Sequence, residues 1–190
     1  LEDEGVARSG AGALFLQTAR RLRPEFAQGA GDLGCIARIC RAVHGAPLAI
    51  ELAAVQVRML RVPDIEAEIG RNLDVLSTRL RDLPDRQRSI RAVFEYSWSL
   101  LDEHERGALR HLAVFEGGFD LAAAGAVAGV KTATIEALMD KSTLRELHPG
   151  RFELHPLLRQ YAAEKLATEH AAHTAVRTSH LHYFNERCGA

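Results

Sequence analysis

Three features that often reveal a protein's class are scarce or missing in this 190-residue chain. Cysteine is rare: Cys35, Cys40 and Cys188 are far from a disulfide framework, which is typical of a reducing compartment, and we expect a cytoplasmic protein. No apolar run approaches the roughly 18 residues that cross a bilayer, and the acidic start does not resemble a signal peptide. We therefore expect no membrane partner.

The chain also has no excess of charge of one sign, because its 24 Lys and Arg residues nearly balance its 25 Asp and Glu residues, for a net charge of -1. The chain thus has no overall basic field to attract nucleic acid or an acidic membrane. An initiator methionine is absent as well. We expect the chain to be a piece of a larger protein, with sequence on both sides.

Apolar residues recur at helical spacing through most of the chain, which predicts a mainly α protein. The second helix has Asp32 as its expected N-terminal cap and Gly45 at its end. The third begins at Pro47, where a first-turn proline fits, and a fourth begins near Pro63. The pattern predicts a small helical bundle over residues 1–76.

The segment from Ser77 to Gln87 is rich in charged and turn-forming residues, which predicts a domain boundary after residue 76. Caps mark the starts of the helices that follow. Asp102 with Glu105 resembles a capping box, and Asp120 and Thr132 are expected to cap two more helices.

The strand signals come late, at residues 144–147 and 152–154, around a Pro-Gly turn. A further helix then begins at Pro156. Helices followed by a hairpin and a packed-back helix are the order of a winged-helix domain, which we assign to residues 77–168. Residues 169–190 carry too little apolar surface to form a stable unit alone. We therefore predict that they begin a C-terminal helical region, which is a candidate surface for protein partners.

No catalytic or metal-binding motif is present. The segment from Gly125 to Thr132 approaches a phosphate-binding loop, but Val130 separates the second glycine from Lys131 and no apolar strand precedes it. We interpret it as a helix end and the next helix start. His180 and His182 are two residues apart on a helix and therefore fall on different faces, so we expect no metal site. Because catalytic motifs are missing, we also expect no catalytic residue and no enzymatic activity in this chain.

A winged helix raises the possibility of DNA binding, which depends on cationic side chains. The helix that would enter the groove of DNA lies at about residues 132–141. It carries two acidic residues and no arginine, and its last residue is a lysine. The wing supplies Arg151 near its tip. We therefore do not expect sequence-specific DNA binding through this segment.

Four stretches of the chain carry a family resemblance: residues 39–54, which include Gly45-Ala-Pro47, and residues 91–101, 112–119 and 154–162. Taken in order, they resemble the NB-ARC-type STAND signalling ATPases, and among these the large LuxR-like and antibiotic-regulatory bacterial transcriptional regulators. The resemblance spans about residues 11–168. It covers the helical ARC-like region and the winged helix but not the P-loop domain.

The resemblance implies a nucleotide switch. In such proteins an upstream P-loop domain of the same chain binds ADP or ATP, and the helical and winged-helix domains close over ADP. The proline of the glycine-x-proline segment packs on the adenine and corresponds to Pro47. The histidine of the Met-His-Asp motif contacts the terminal phosphate and corresponds to His155. Pro156 replaces the family's aspartate and carries no charge, so we expect a weaker or differently latched switch.

Both residues also have purely structural interpretations. Pro47 can simply start a helix, and His155 can simply pack between the hairpin and the last helix. The first functional hypothesis is a non-catalytic regulatory segment that closes over ADP or ATP in the intact protein, with no cofactor in this chain alone. The alternatives are a DNA-binding winged helix and a helical interaction scaffold.

Overall fold

The computed structural model describes residues 9–26, 29, 31–78 and 87–188. The chain divides into two compact units, Leu1–Tyr96 and Ser97–Ala190. The described parts are mostly helical, with ten α-helices and one two-stranded antiparallel hairpin, which confirms the predicted fold class. The domain limits after residues 76 and 168 stay predictions, since most of the proposed first linker, residues 79–86, lies outside the described residues.

The first unit is a small helical bundle. Its helices are α1 (Gly10–Leu22), α2 (Asp32–Ala42), α3 (Pro47–Val55) and α4 (Val62–Ile69), with short 3-10 turns at Gln56–Arg58 and Leu73–Val75. Helix α1 packs on α3, and α2 packs on α4. Phe15, Ile36, Ile50 and Ile65 are almost fully buried in this bundle. Each such side chain contributes roughly 1.5–3 kcal/mol through the apolar surface that it removes from water.

The second unit begins within α5 (Ile90–Ser99). It continues through α6 (Glu103–Leu112), α7 (Leu121–Ala128), α8 (Thr132–Asp140), β1 (Arg145–His148), β2 (Arg151–Glu153), α9 (Pro156–Ala167) and α10 (His170–Cys188). Tyr161 on α9 is fully buried and meets the edge of Trp98, with ring centroids 5.6 Å apart. Helix α9 also packs on α6, and α10 packs on α7.

Two predicted helix caps are wrong by one residue. The N-cap of α2 is Gly31, at φ +86°, and Asp32 is the first helical residue, with its Oδ2 accepting from the Gly29 amide at 2.7 Å. The N-cap of α8 is Lys131, so Thr132 is likewise the first residue of its helix. Short polar side chains are common at both positions, and the backbone conformation of the preceding residue decides between them.

The two other predicted N-caps are confirmed, whereas the C-cap of α2 is Val43 and the predicted Gly45 lies two residues beyond it. Asp120 accepts from the Ala123 amide at 2.7 Å, and Asp102 and Glu105 form a reciprocal capping box at the start of α6. Gly45 follows α2 in the left-handed region, at φ +69°, and its amide donates to the Cys40 carbonyl. It shares the turn with His44, also left-handed at φ +49°, so two residues rather than one reverse the chain.

The second unit has the element order of a winged helix. Between α6 and α7, Phe119 pairs with Phe152 of β2 through two backbone hydrogen bonds of 2.8 Å, which adds a one-residue strand to the hairpin. Helices α7 and α8 and the hairpin then follow. The pairing of β1 with β2 shifts register between Glu146 and His148, which explains why the first strand lacks strict alternation in sequence.

Among the described residues no single helix is long and apolar enough to cross a membrane. Helices α7 and α8 reach that length and apolar composition only when taken together, and the chain bends by 108° between them.

Candidate functional site

Pro47 lies in the first unit, at the first position of α3, with Ala46 as the N-cap. The turn before it is closed by two hydrogen bonds of 2.9 Å, from the Gly45 amide to the Cys40 carbonyl and from the His44 amide to the Arg41 carbonyl. This is the paired bonding of a Schellman turn at a helix end. The proline ring is exposed to solvent. A fixed backbone therefore presents a rigid apolar ring at the surface.

His155 lies in the second unit, as the N-cap of α9. Its Nδ1 accepts a hydrogen bond from the Leu157 amide at 3.3 Å. A neutral imidazole that accepts at Nδ1 carries its proton on Nε2, so the cap fixes the tautomer with an Nε2–H donor. The side chain is half-buried, and the Nε2 atom itself is buried in this conformation. A phosphate would reach that donor only after neighbouring groups move.

Pro156 directly follows, at the first position of α9. This position needs no amide donor, so proline fits there for structural reasons alone. The side-chain cap of this helix comes from His155.

The segment that approaches a phosphate-binding loop is a corner between two helices. Gly125 lies within α7, Gly129 ends that helix at φ +67°, and Lys131 caps α8. The amides of Gly129 and Val130 donate to carbonyls of α7, at 3.1 and 3.2 Å. These amides are therefore engaged within the corner, whereas a phosphate-binding loop points its amides at the ligand.

The surface that would face DNA in a winged helix is poor in available cations. Lys141, after α8, donates to both carboxylate oxygens of the buried Glu105, at 2.7 and 2.6 Å. The hydrogen bond from Lys141 holds the pKa of Glu105 below its ordinary value of 4.5. Helix α8 also exposes Glu136 and Asp140, which would repel phosphates.

The hairpin of β1 and β2, which would form the wing, carries two arginines, and one of them is likewise paired with a carboxylate. Arg145 forms an ion pair with Glu153 on the facing strand, and the Glu146 carboxylate accepts from the Gly150 amide at 2.7 Å across the turn. Arg151, which the sequence placed near the wing tip, is exposed. Its Nε lies only 2.9 Å from the position that a Cβ on Gly118 would occupy.

Within the described ranges no group of three or more metal-ligating side chains comes together. All three cysteines are free thiols; Cys35 and Cys40 are buried, and Cys188 is exposed. Burial raises the pKa of the Cys40 thiol above its usual range, which favours the protonated, unreactive form.

The chain is similar in sequence to several bacterial proteins. It is 35% identical over 175 residues to a Mycobacterium tuberculosis protein named "Putative HTH-type transcriptional regulator"; the match covers 84% of this chain and 20% of that protein. An uncharacterised protein of the same organism is 36% identical over 165 residues, which are 81% of this chain and 42% of that protein. The regulatory protein AfsR of Streptomyces coelicolor is 31% identical over 121 residues, 61% of this chain and 12% of AfsR.

These matches show that the chain is related to bacterial transcriptional regulators. The chain spans between about a fifth and two fifths of the length of the mycobacterial relatives. No protein-family model and no solved structure matches it.

Proposed function

We propose that this chain is a non-catalytic regulatory segment of a nucleotide-controlled transcriptional regulator of the NB-ARC-like STAND type. In the intact protein it closes over ADP held by a P-loop domain elsewhere in the same chain. Pro47 contacts the adenine, and His155 contacts the terminal phosphate.

The carrying observation is the way His155 caps α9. Because Nδ1 accepts from the Leu157 amide, the Nε2–H is the donor, and the helix start adds a favourable field for a negative charge. Pro47 supports the proposal because its exposed ring is held by a fixed turn. Both residue types fit an adenine nucleotide, but the described residues offer no phosphate-binding loop. Most of the binding energy must therefore come from the P-loop domain.

The regulatory step is a shift between two conformations. The Pro47 ring and the His155 Nε2–H stabilise the closed state only by the contacts that they make there and lose in the open state. Since Nε2 is buried in the conformation described, closure on a phosphate includes a local movement around the start of α9. Pro156 adds no charge at that point.

Two substitutions of His155 separate the cap from the nucleotide contact. Aspartate caps helices well but repels a phosphate, so the intact His155→Asp protein should keep its stability and bind ADP at least tenfold more weakly. His155→Ala should lose both the cap and the contact and should raise basal activity. The measurement is calorimetric titration with ADP, paired with thermal unfolding.

His148→Asp, at an exposed position on the wing, is the matched control and should bind ADP like the wild type. If His155→Asp folds and keeps wild-type ADP affinity, His155 does not contact the nucleotide.

DNA binding is the second candidate function. It is favoured by the winged-helix order of the second unit and by the helix-turn-helix name of the mycobacterial relatives. The ion pairs of Lys141 with Glu105 and of Arg145 with Glu153 count against DNA binding.

A further inference from the structure

A groove runs along the second unit between α9, α10 and the turn that follows α6. It has a volume of about 550 Å³, which lies in the usual range for small-molecule sites. His155 is not among the residues that line it, so the groove is distinct from the proposed nucleotide contact.

Two arginines line the groove from different helices, Arg159 from α9 and Arg177 from α10. In the part of the chain that the structure describes, neither guanidinium forms an ion pair, although Arg106, Arg110 and Arg145 in the same unit all do. Arg159 is half-buried. Because no carboxylate among the described residues is paired with either guanidinium, both can form charge-assisted hydrogen bonds with an anionic ligand.

The remaining lining gives the groove an apolar wall and little opposing charge. Leu181 and Phe184 project from α10 with 62% and 39% of their surfaces exposed, and Leu166 adds to the wall from α9. Glu116 is the single carboxylate among the lining residues, so two arginines outnumber it.

The His180 ring belongs to the same wall. It lies 4.7 Å from the Phe184 ring and 5.3 Å from the Phe115 ring, measured between centroids. Burial lowers the pKa of His180, and the positive charge of Arg177 acts in the same direction against the opposing effect of Glu116. Burial therefore favours the neutral form of the ring, which offers an aromatic surface to the groove.

We propose that this α9–α10 groove binds a small organic anion. Arg159 and Arg177 hold its carboxylate or phosphate, and Leu181, Phe184 and the His180 ring hold an aromatic or acyl body. An inorganic anion would leave the apolar wall exposed to water, and a neutral apolar molecule would leave both guanidinium groups unpaired. The combination of both parts in one molecule is what the groove selects.

The test is calorimetric titration of the 190-residue chain with four probes: 1-naphthoate, 1-naphthyl phosphate, neutral 1-naphthol and inorganic phosphate. Both naphthyl anions should bind with one-to-one stoichiometry and at least tenfold more tightly than the other two. The ratio of the two anion affinities distinguishes a carboxylate ligand from a phosphate ligand.

Arg159→Gln and Arg177→Gln should each lower the affinity for the tighter anion by about tenfold or more, as expected for a lost charge-assisted hydrogen bond. Arg177 is exposed, so its variant carries little risk to the fold. Arg187→Gln, on α10 outside the groove lining, should bind like the wild type. The proposal is overturned if the naphthyl anions bind no more tightly than 1-naphthol, or if Arg177→Gln, correctly folded, keeps full affinity.

Discussion

Glu105 links two parts of the second unit through one buried carboxylate. Its Oε2 accepts from the Asp102 amide at 2.7 Å, which completes the capping box of α6, and both of its oxygens accept from Lys141 after α8. Lys141, which directly follows α8, thereby stabilises the fold instead of remaining available for a DNA phosphate.

This arrangement predicts a pH dependence of stability. Because the folded state lowers the pKa of Glu105, the unfolded chain binds more protons in acid, and the stabilisation is present above about pH 4.5 and is lost as the pH falls through the lower folded value. Glu105→Gln keeps the capping hydrogen bond but removes the charge. We expect it to lose about 1 kcal/mol of unfolding free energy at pH 7 and to show a smaller loss of stability in acid.

Urea titration followed by circular dichroism between pH 3 and 7 measures both effects. Glu136→Gln, at an exposed position of α8, is the matched control and should behave like the wild type. A Glu105→Gln variant with the acid sensitivity of the wild type would show that the Lys141 pair contributes nothing.

The limits of sequence-based prediction are visible in the same caps. The Asp102–Glu105 box was predictable because its two members confirm each other at a spacing of three. Asp32 and Thr132 were each expected at the N-cap but are the first helical residues. A single polar residue does not show whether it or its predecessor leaves the helical conformation. Gly31, left-handed at φ +86°, fills the position that Asp32 was expected to fill.

At the scale of elements, the hairpin was predictable from its Pro-Gly turn, whereas the strand formed by Phe119 was not. One residue paired with Phe152 leaves no alternation in sequence. Its sign in the sequence is indirect: two glycines precede Phe119, and the structure shows that the second of them allows the chain to approach β2 closely.

That close approach yields a prediction for Gly118. A Cβ at this position would lie 2.9 Å from the Phe152 carbonyl oxygen, which accepts the hydrogen bond from the Phe119 amide. Since the obstructing atom belongs to the backbone, Gly118→Ala must displace the strand pairing and should cost about 1–3 kcal/mol of unfolding free energy.

Gly117→Ala is the control, because nothing lies within 4 Å of a Cβ built there. Thermal unfolding of the two variants side by side should separate them clearly. Equal melting temperatures would mean that the wing does not depend on this contact.

For the whole molecule, the distribution of charge leads us to expect weak DNA binding. Fluorescence anisotropy with a 30-base-pair duplex should give a plot of log affinity against log salt with a slope of magnitude below about 3, because each neutralised phosphate contributes about 0.9. Glu153→Gln removes the carboxylate of the Arg145 ion pair, and with it one negative charge from the hairpin, and should steepen the slope. A wild-type slope of about 6 or more would favour the DNA-binding function instead.

The candidate sites differ in how far the sequence could indicate them. Pro47 and His155 were singled out by short motifs, and both lie at helix starts as the local sequence indicates. The α9–α10 groove was not predicted. Glu116 comes from the turn after α6 and Arg159 and Arg177 from two different helices, and only tertiary packing brings them to one surface.

The most direct test of the nucleotide-switch proposal is amide hydrogen exchange in the intact protein, with and without saturating ADP. We predict that ADP slows exchange in residues 48–52, after Pro47, and in residues 157–161, after His155, while the wing residues 148–151 exchange as before. Unchanged exchange in both segments, under conditions where calorimetry shows ADP bound, would contradict the proposal that these helix starts close over the nucleotide.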